Sequence, residues 1–138
     1  IPLTHRGVAQ ACTFITGHMQ NNGLLNLPWP SLASDSQTVV FYMGINTLGQ
    51  ITEQLIKHGR AASTPAVLIH KGTQPEQQVY RGLLSNLELL VKENNIKPPT
   101  LIVIGDVVNQ LTEHSLSIPG YLQASEYVKS SVQSLKQA

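Results

Sequence analysis

Four glycines, Gly17, Gly44, Gly72 and Gly105, each follow a short run rich in apolar or β-branched residues. In an open α/β sheet, ligands sit in the crevice at the carboxyl ends of strands, and a glycine there lets the backbone come close. One such glycine serves a tight turn equally well; four at equivalent strand ends point to a crevice. Two polar groups accompany them. Thr4-His5-Arg6 closes the first segment, and His18 follows Gly17. A guanidinium grips a carboxylate through two parallel hydrogen bonds, so Arg6 suits anion recognition. It suits ordinary surface solvation as well, and pattern alone leaves both readings open for His5, Arg6 and His18.

Other chemistries lack their residues. The histidines His5, His18, His58, His70 and His114 include no pair at helical ligand spacing, and no His-Glu-x-x-His occurs. A metal site is not expected. There is no Gly-x-Ser-x-Gly elbow, no Gly-x-Gly-x-x-Gly fingerprint and no Walker loop. Asp35 and Asp106 are the two aspartates, so counting residues does not by itself exclude a Ser-His-Asp triad. Cys12 is the lone cysteine. It falls inside a strand candidate and reads as a small core residue. One cysteine excludes an intrachain disulfide framework and a multi-cysteine zinc site.

The elements that position these residues fit one domain. The chain has 138 residues, of which 41% are hydrophobic and 12% charged, with a formal net charge of +1. A domain of this size buries roughly 68% of its unfolded surface and needs no staple. The charge balance argues against a broad electrostatic nucleic-acid surface. No apolar run reaches the ~18 residues of a membrane span, and no signal-peptide pattern is visible, so a cytoplasmic location is expected. The first residue is Ile1; processing or a cut ahead of it is the expectation.

Ile1 to Arg6 alternates weakly and reads as a strand. Cys12 to Thr16 reads as a second. Thr38 to Met43 is a short apolar run, the pattern of a strand buried on both faces. Leu48, Ile51, Leu55 and Ile56 then recur at helical spacing, with Asn46 as N-cap and Lys57-His58-Gly59 as the stop signal. Ala66 to His70 is the next buried strand. After a polar turn with Pro75, Gln77 to Leu83 forms a half-solvated strand, antiparallel to its predecessor. Asn86 caps a helix over Leu87 to Glu93. Pro98 and Pro99 lead to Leu101–Ile104, the most hydrophobic strand. Tyr121 to Leu135 carries helical spacing, as a terminal helix or a partly ordered tail. The expected fold class is α/β, with a mixed, mainly parallel sheet of about five strands flanked by helices.

Five segments, taken in order, resemble uroporphyrinogen-III C-methyltransferase of the tetrapyrrole methylase family. They are Ile1-Pro2-Leu3-Thr4-His5-Arg6-Gly7, then Phe14-Ile15-Thr16-Gly17-His18, then Val39-Val40-Phe41-Tyr42-Met43-Gly44. Gly72-Thr73 with Gln78-Val79 follows. The last runs from Pro98-Pro99-Thr100-Leu101-Ile102 through Val103-Ile104-Gly105-Asp106-Val107-Val108. Five motifs in order are far more specific than any one. The match runs from Ile1 to about Leu111 and leaves residues 112–138, a helical tail by pattern, outside it. The same module occurs in siroheme synthase.

The resemblance implies the C-terminal domain of a two-domain enzyme that uses S-adenosyl-L-methionine and releases S-adenosyl-L-homocysteine. Uroporphyrinogen III would become precorrin-2 through two methyl transfers. Met43 and Gly72 match family cofactor contacts, and Thr100 is a further cofactor candidate. The tetrapyrrole is rich in carboxylates, which makes His5, Arg6 and His18 the candidate substrate anchors. No catalytic residue is expected in this chain. The family's Gly-x-Gly-x-Gly-Asp segment and acid–base residues belong to the N-terminal domain, which is missing here, so the fragment alone should be inactive. Family members resemble homodimers. A stand-alone α/β ligand-binding or interaction domain, or a methylase of a later corrinoid, are the alternatives. Neither a nucleic-acid nor a membrane partner is expected.

Overall fold

The computed structural model describes residues 1–18, 23 and 25–111. The helical reading of Tyr121 to Leu135 and the tail over 112–138 lie outside the described residues. Five strands form one sheet: β1 (Ala11–Thr16), β2 (Gln37–Tyr42), β3 (Pro65–His70), β4 (Gln78–Leu83) and β5 (Thr100–Ile104). Among the described residues, three α-helices accompany them: α1 (Trp29–Leu32), α2 (Leu48–Lys57) and α3 (Leu87–Glu93).

The strand order is β1-β2-β5-β3-β4. The sheet is mixed, as expected, but it is not mainly parallel. Only β1 and β2 run parallel; β2–β5, β5–β3 and β3–β4 are antiparallel. The expectation failed on one strand. The β2–α2–β3 crossover does set its two strands in the same direction, as a βαβ unit should. It leaves a gap, and β5 fills it from the opposite direction. Thr100 pairs with His70 at the start of β5, and Ile104 faces both Val39 and Ala66 at its end.

Alternation along the strands divides the core. Val39, Phe41, Ala66, Leu68, Ile102 and Ile104 point to one face, which the helices cover with Trp29, Leu32, Ile51, Leu55 and Leu87. Full burial of such side chains contributes about 1.5–3 kcal/mol each. Val40, Val67 and Val103 point to the other face, under Val108, Leu111 and the N-terminal Ile1 and Leu3.

Helix α2 buries Leu48, Ile51 and Leu55 at helical spacing and leaves Glu53 and Lys57 exposed. Its stop signal works as read: the helix ends at Lys57, and Gly59 adopts φ +107°. Its start differs. A 3-10 turn over Ile45–Thr47 precedes it, and Thr47, not Asn46, occupies the cap position. Ile1 to Arg6 is not a strand either. The backbone turns twice, with His5 N–H donating to the Pro2 carbonyl and Val8 N–H to the His5 carbonyl. The Thr38 hydroxyl holds this segment by donating to the Leu3 carbonyl at 2.7 Å.

Candidate functional site: a cleft across the strand ends

The ends of β1 and β2 are drawn together by backbone. Gly17 N–H donates to the Tyr42 carbonyl at 2.7 Å. A β-carbon on Gly17 would stand 2.6 Å from the Gly44 α-carbon, so only glycine permits this approach. The buried Thr47 hydroxyl donates to the Gly17 carbonyl at 2.7 Å. Between the two glycines Met43 turns outward with φ 54°, and it is 64% exposed.

The turn after β3 forms the facing wall. Lys71 N–H donates to the Pro99 carbonyl at 3.0 Å, and Thr73 N–H to Gln77 Oε1 at 2.8 Å. Lys71 and Thr73 also hold positive φ, 48° and 69°. Non-glycine residues in the left-handed region cost of order 1–3 kcal/mol each and concentrate at functional sites. Three of the four such residues among those described, Met43, Lys71 and Thr73, stand around this one opening; the fourth, Asn95, follows α3. At the start of β5, Thr100 Oγ1 donates to the Lys97 carbonyl at 2.7 Å and lies 3.1 Å from His70 Nδ1.

These strand ends enclose a cleft of about 570 Å³, within the usual range for small-molecule sites. Tyr42, Met43, Ile45, Ile69, Pro98, Pro99 and Leu101 make its walls mostly apolar. His18, Asn46, Thr73 and Thr100 supply polar groups, and Gly72 forms part of the rim. Apolar walls with a few convergent polar groups fit a flat heterocycle carrying polar substituents, so the lining residues suit an adenosyl group. Met43, Gly72, Thr100 and His18, four of the six residues singled out from the sequence, meet here.

His5 and Arg6 do not. Both are exposed in the turns ahead of β1. Gln10 N–H donates to the Ser36 carbonyl there, and Leu3 is tied to Thr38, so this segment sits at the beginnings of β1 and β2. The cleft lies at their other ends. Asn46 was missed as a lining residue because its polar side chain ahead of an apolar periodic run reads as a cap. Pro98-Pro99 reads as a connection, and nothing in the pair itself announces a wall.

Two further groups lie elsewhere. Arg60 is 3% exposed. Its guanidinium donates to the carbonyls of Ser34 at 2.5 Å and Gln37 at 3.1 Å. Burial lowers its pKa, and the negative charges of Asp106 and Asp35 partly oppose that shift. Cys12 is half-buried against the valine cluster, and burial pushes its thiol pKa up, as suits a packing residue.

The sequence profile of the Tetrapyrrole (Corrin/Porphyrin) Methylases matches residues 1–88. The chain belongs to this family. It is 55% identical over 108 residues to a siroheme synthase of Pseudomonas fluorescens (strain SBW25), a match covering 78% of this chain and 23% of that protein. A siroheme synthase of Nitrosomonas europaea is 48% identical over 108 residues and is covered to 22%. This tetrapyrrole methylase chain thus spans less than a quarter of the length of these relatives. Among solved structures, a uroporphyrin-III C-methyltransferase from Thermus thermophilus superimposes with a TM-score of 0.63 at 33% identity, covering 79% of this chain and 44% of that one. A uroporphyrin-III C-methyltransferase structure from the same organism, complexed with S-adenyl homocysteine, gives a TM-score of 0.66 at 26% identity, covering 80% and 48%. Among the described residues no helix is long and apolar enough to cross a membrane.

Proposed function

We propose that this chain is the C-terminal domain of a two-domain, S-adenosyl-L-methionine-dependent uroporphyrinogen-III C-methyltransferase, whose parent makes precorrin-2 by two methyl transfers. The observation that carries this is the convergence of Met43, Gly72 and Thr100, from three separate strand ends, on one apolar cleft. When bound, the cofactor supplies an electrophilic methyl group and its own leaving group.

The chain's contribution is placement. Met43, the strained turn around Gly72 and Thr100 Oγ1, all at the cleft, would hold the adenosyl group. Apolar walls exclude water from the reacting pair, and fixed orientation removes much of the entropic cost of a two-body step. His18, exposed at the rim, is the substrate anchor at this cleft; His5 and Arg6, in the turns ahead of β1, do not line it.

The other half belongs to the missing N-terminal domain. Phe14 is 57% and Tyr42 51% exposed, their ring centroids 6.4 Å apart, and Met43 adjoins them. A contiguous exposed apolar patch beside a cleft marks a docking face, and the partner domain is the cover it fits. The test is transfer of labelled methyl from S-adenosyl-L-methionine to uroporphyrinogen III. The intact parent should label its substrate and the 138-residue chain should not. No transfer by the parent would overturn the activity. Tight S-adenosyl-L-homocysteine binding by the chain alone, in calorimetry, would contradict the shared cleft.

A further inference from the structure

His70 was not among the candidate site residues, yet it touches one of them. It is half-buried, sits on β3, and pairs with Thr100 across β5 and with Gln78 across β4. Ala66 and Leu68 lie on the helix-covered face, so alternation sets His70 on that face as well; Ile102 and Ile104 place Thr100 there too. The two side chains are therefore cross-strand neighbours on one face.

A hydroxyl has one proton and two lone pairs. The Thr100 proton goes to the Lys97 carbonyl, which has none to give, at 2.7 Å. The contact with His70 Nδ1 at 3.1 Å must then run the other way, with Nδ1–H donating to Oγ1. We infer that His70 is a positioning residue for the cleft: its Nδ1–H locks the Thr100 hydroxyl onto the Lys97 carbonyl and leaves Thr100 Oγ1 an obligate acceptor. Any group that reaches this oxygen from the cleft has to donate. The corner therefore favours an amino or amide N–H over a carbonyl or carboxylate, since an acceptor here would leave two lone pairs facing each other with no proton between them.

The tautomer is fixed with it. Neutral His70 carries its proton on Nδ1, with Nε2 bare. The bond also survives protonation, because imidazolium keeps the Nδ1–H.

Long-range proton–nitrogen NMR correlation on the full chain at alkaline pH reads the tautomer directly. We expect a protonated Nδ1 and a bare Nε2; the Nε2–H form would overturn the inference. A second arm rests on the cofactor reading proposed above. Millimolar S-adenosyl-L-homocysteine is added, and shifts are followed at Met43, Gly72 and Thr100. His70→Asn, whose amide can replace the Nδ1 donor, should keep these shifts. His70→Phe should shrink them several-fold. Equal behaviour of the two variants would remove the positioning role. Absence of any shift in the unmodified chain would count against the cofactor reading, while the tautomer still decides whether His70 holds Thr100.

Discussion

The Thr47 hydroxyl donates to the Gly17 carbonyl at 2.7 Å, joining the end of β1 to the turn that starts α2. This bond is buried, and it acts where Gly17 and Gly44 already touch. Thr47→Val keeps the shape and removes the donor, leaving a buried carbonyl without it. The expected loss is about 1–3 kcal/mol. Gly17→Ala should cost at least as much, since its β-carbon meets backbone rather than a movable side chain. Urea unfolding of both variants checks this; an unchanged midpoint for Gly17→Ala would disprove the close approach.

Arg60 fastens the other end of the sheet. Its guanidinium serves the Ser34 and Gln37 carbonyls, and among the described residues its Nε has no hydrogen-bond partner. Replacing a buried cation by an apolar chain of similar volume relieves desolvation and is often tolerated. Here the carbonyls lose their donors. We expect Arg60→Met to destabilise by about 2 kcal/mol on balance, with no change in the cleft's chemistry, because none of these groups lines it. A variant as stable as the parent sequence in urea would show that desolvation dominates.

Cys12 sets a pH dependence of definite sign. Burial raises its thiol pKa in the folded chain, so on raising the pH the unfolded chain loses this proton first. Stability from this group is complete below the ordinary thiol pKa and is lost as pH climbs through it toward the folded value. Cys12→Ala should flatten the alkaline side of the stability curve, measured by thermal unfolding between neutral and strongly alkaline pH. Alkylation at mildly alkaline pH should also be slower in the folded chain than in urea. Equal rates would show an unperturbed thiol.

Much of this was legible because local rules and the fold agree. The β3–β4 hairpin followed from alternation around a polar turn, and α2 from its spacing and its Gly59 stop. The direction of β5 was not legible, since a buried apolar run such as Leu101–Ile104 reads the same either way along the sheet. The four glycine-marked strand ends pointed to a crevice, and three of them serve it: Gly72 lines the cleft, while Gly17 and Gly44, packed on each other, directly precede or follow its lining residues His18, Met43 and Ile45. Gly105 does not: β5 is reversed, so its terminal glycine lies near Arg60 and Gln37 at the far end. The same reversal brings Thr100, at the beginning of its strand, to the cleft. The placement of Arg6 away from the cleft was not legible, because a cationic cluster carries no information about which end of a strand it will occupy.

Backbone strain at the cleft separates stability from function. Met43 and Thr73 hold the left-handed region at φ 54° and 69°, and the β-branched Thr73 is the worse placed of the two. Glycine relieves this at a smaller entropic cost. Thr73→Gly and Met43→Gly should each raise stability by up to ~1 kcal/mol. Met43→Gly also strips the thioether wall from the cleft, so in the parent protein proposed above it should weaken S-adenosyl-L-homocysteine binding about tenfold or more. Ordinary surface residues would show neither effect together. Unfolding midpoints and calorimetric titration of the same preparations decide the matter: a Met43→Gly variant that is less stable yet binds normally would mean that the strained turn shapes the fold and does not serve the ligand.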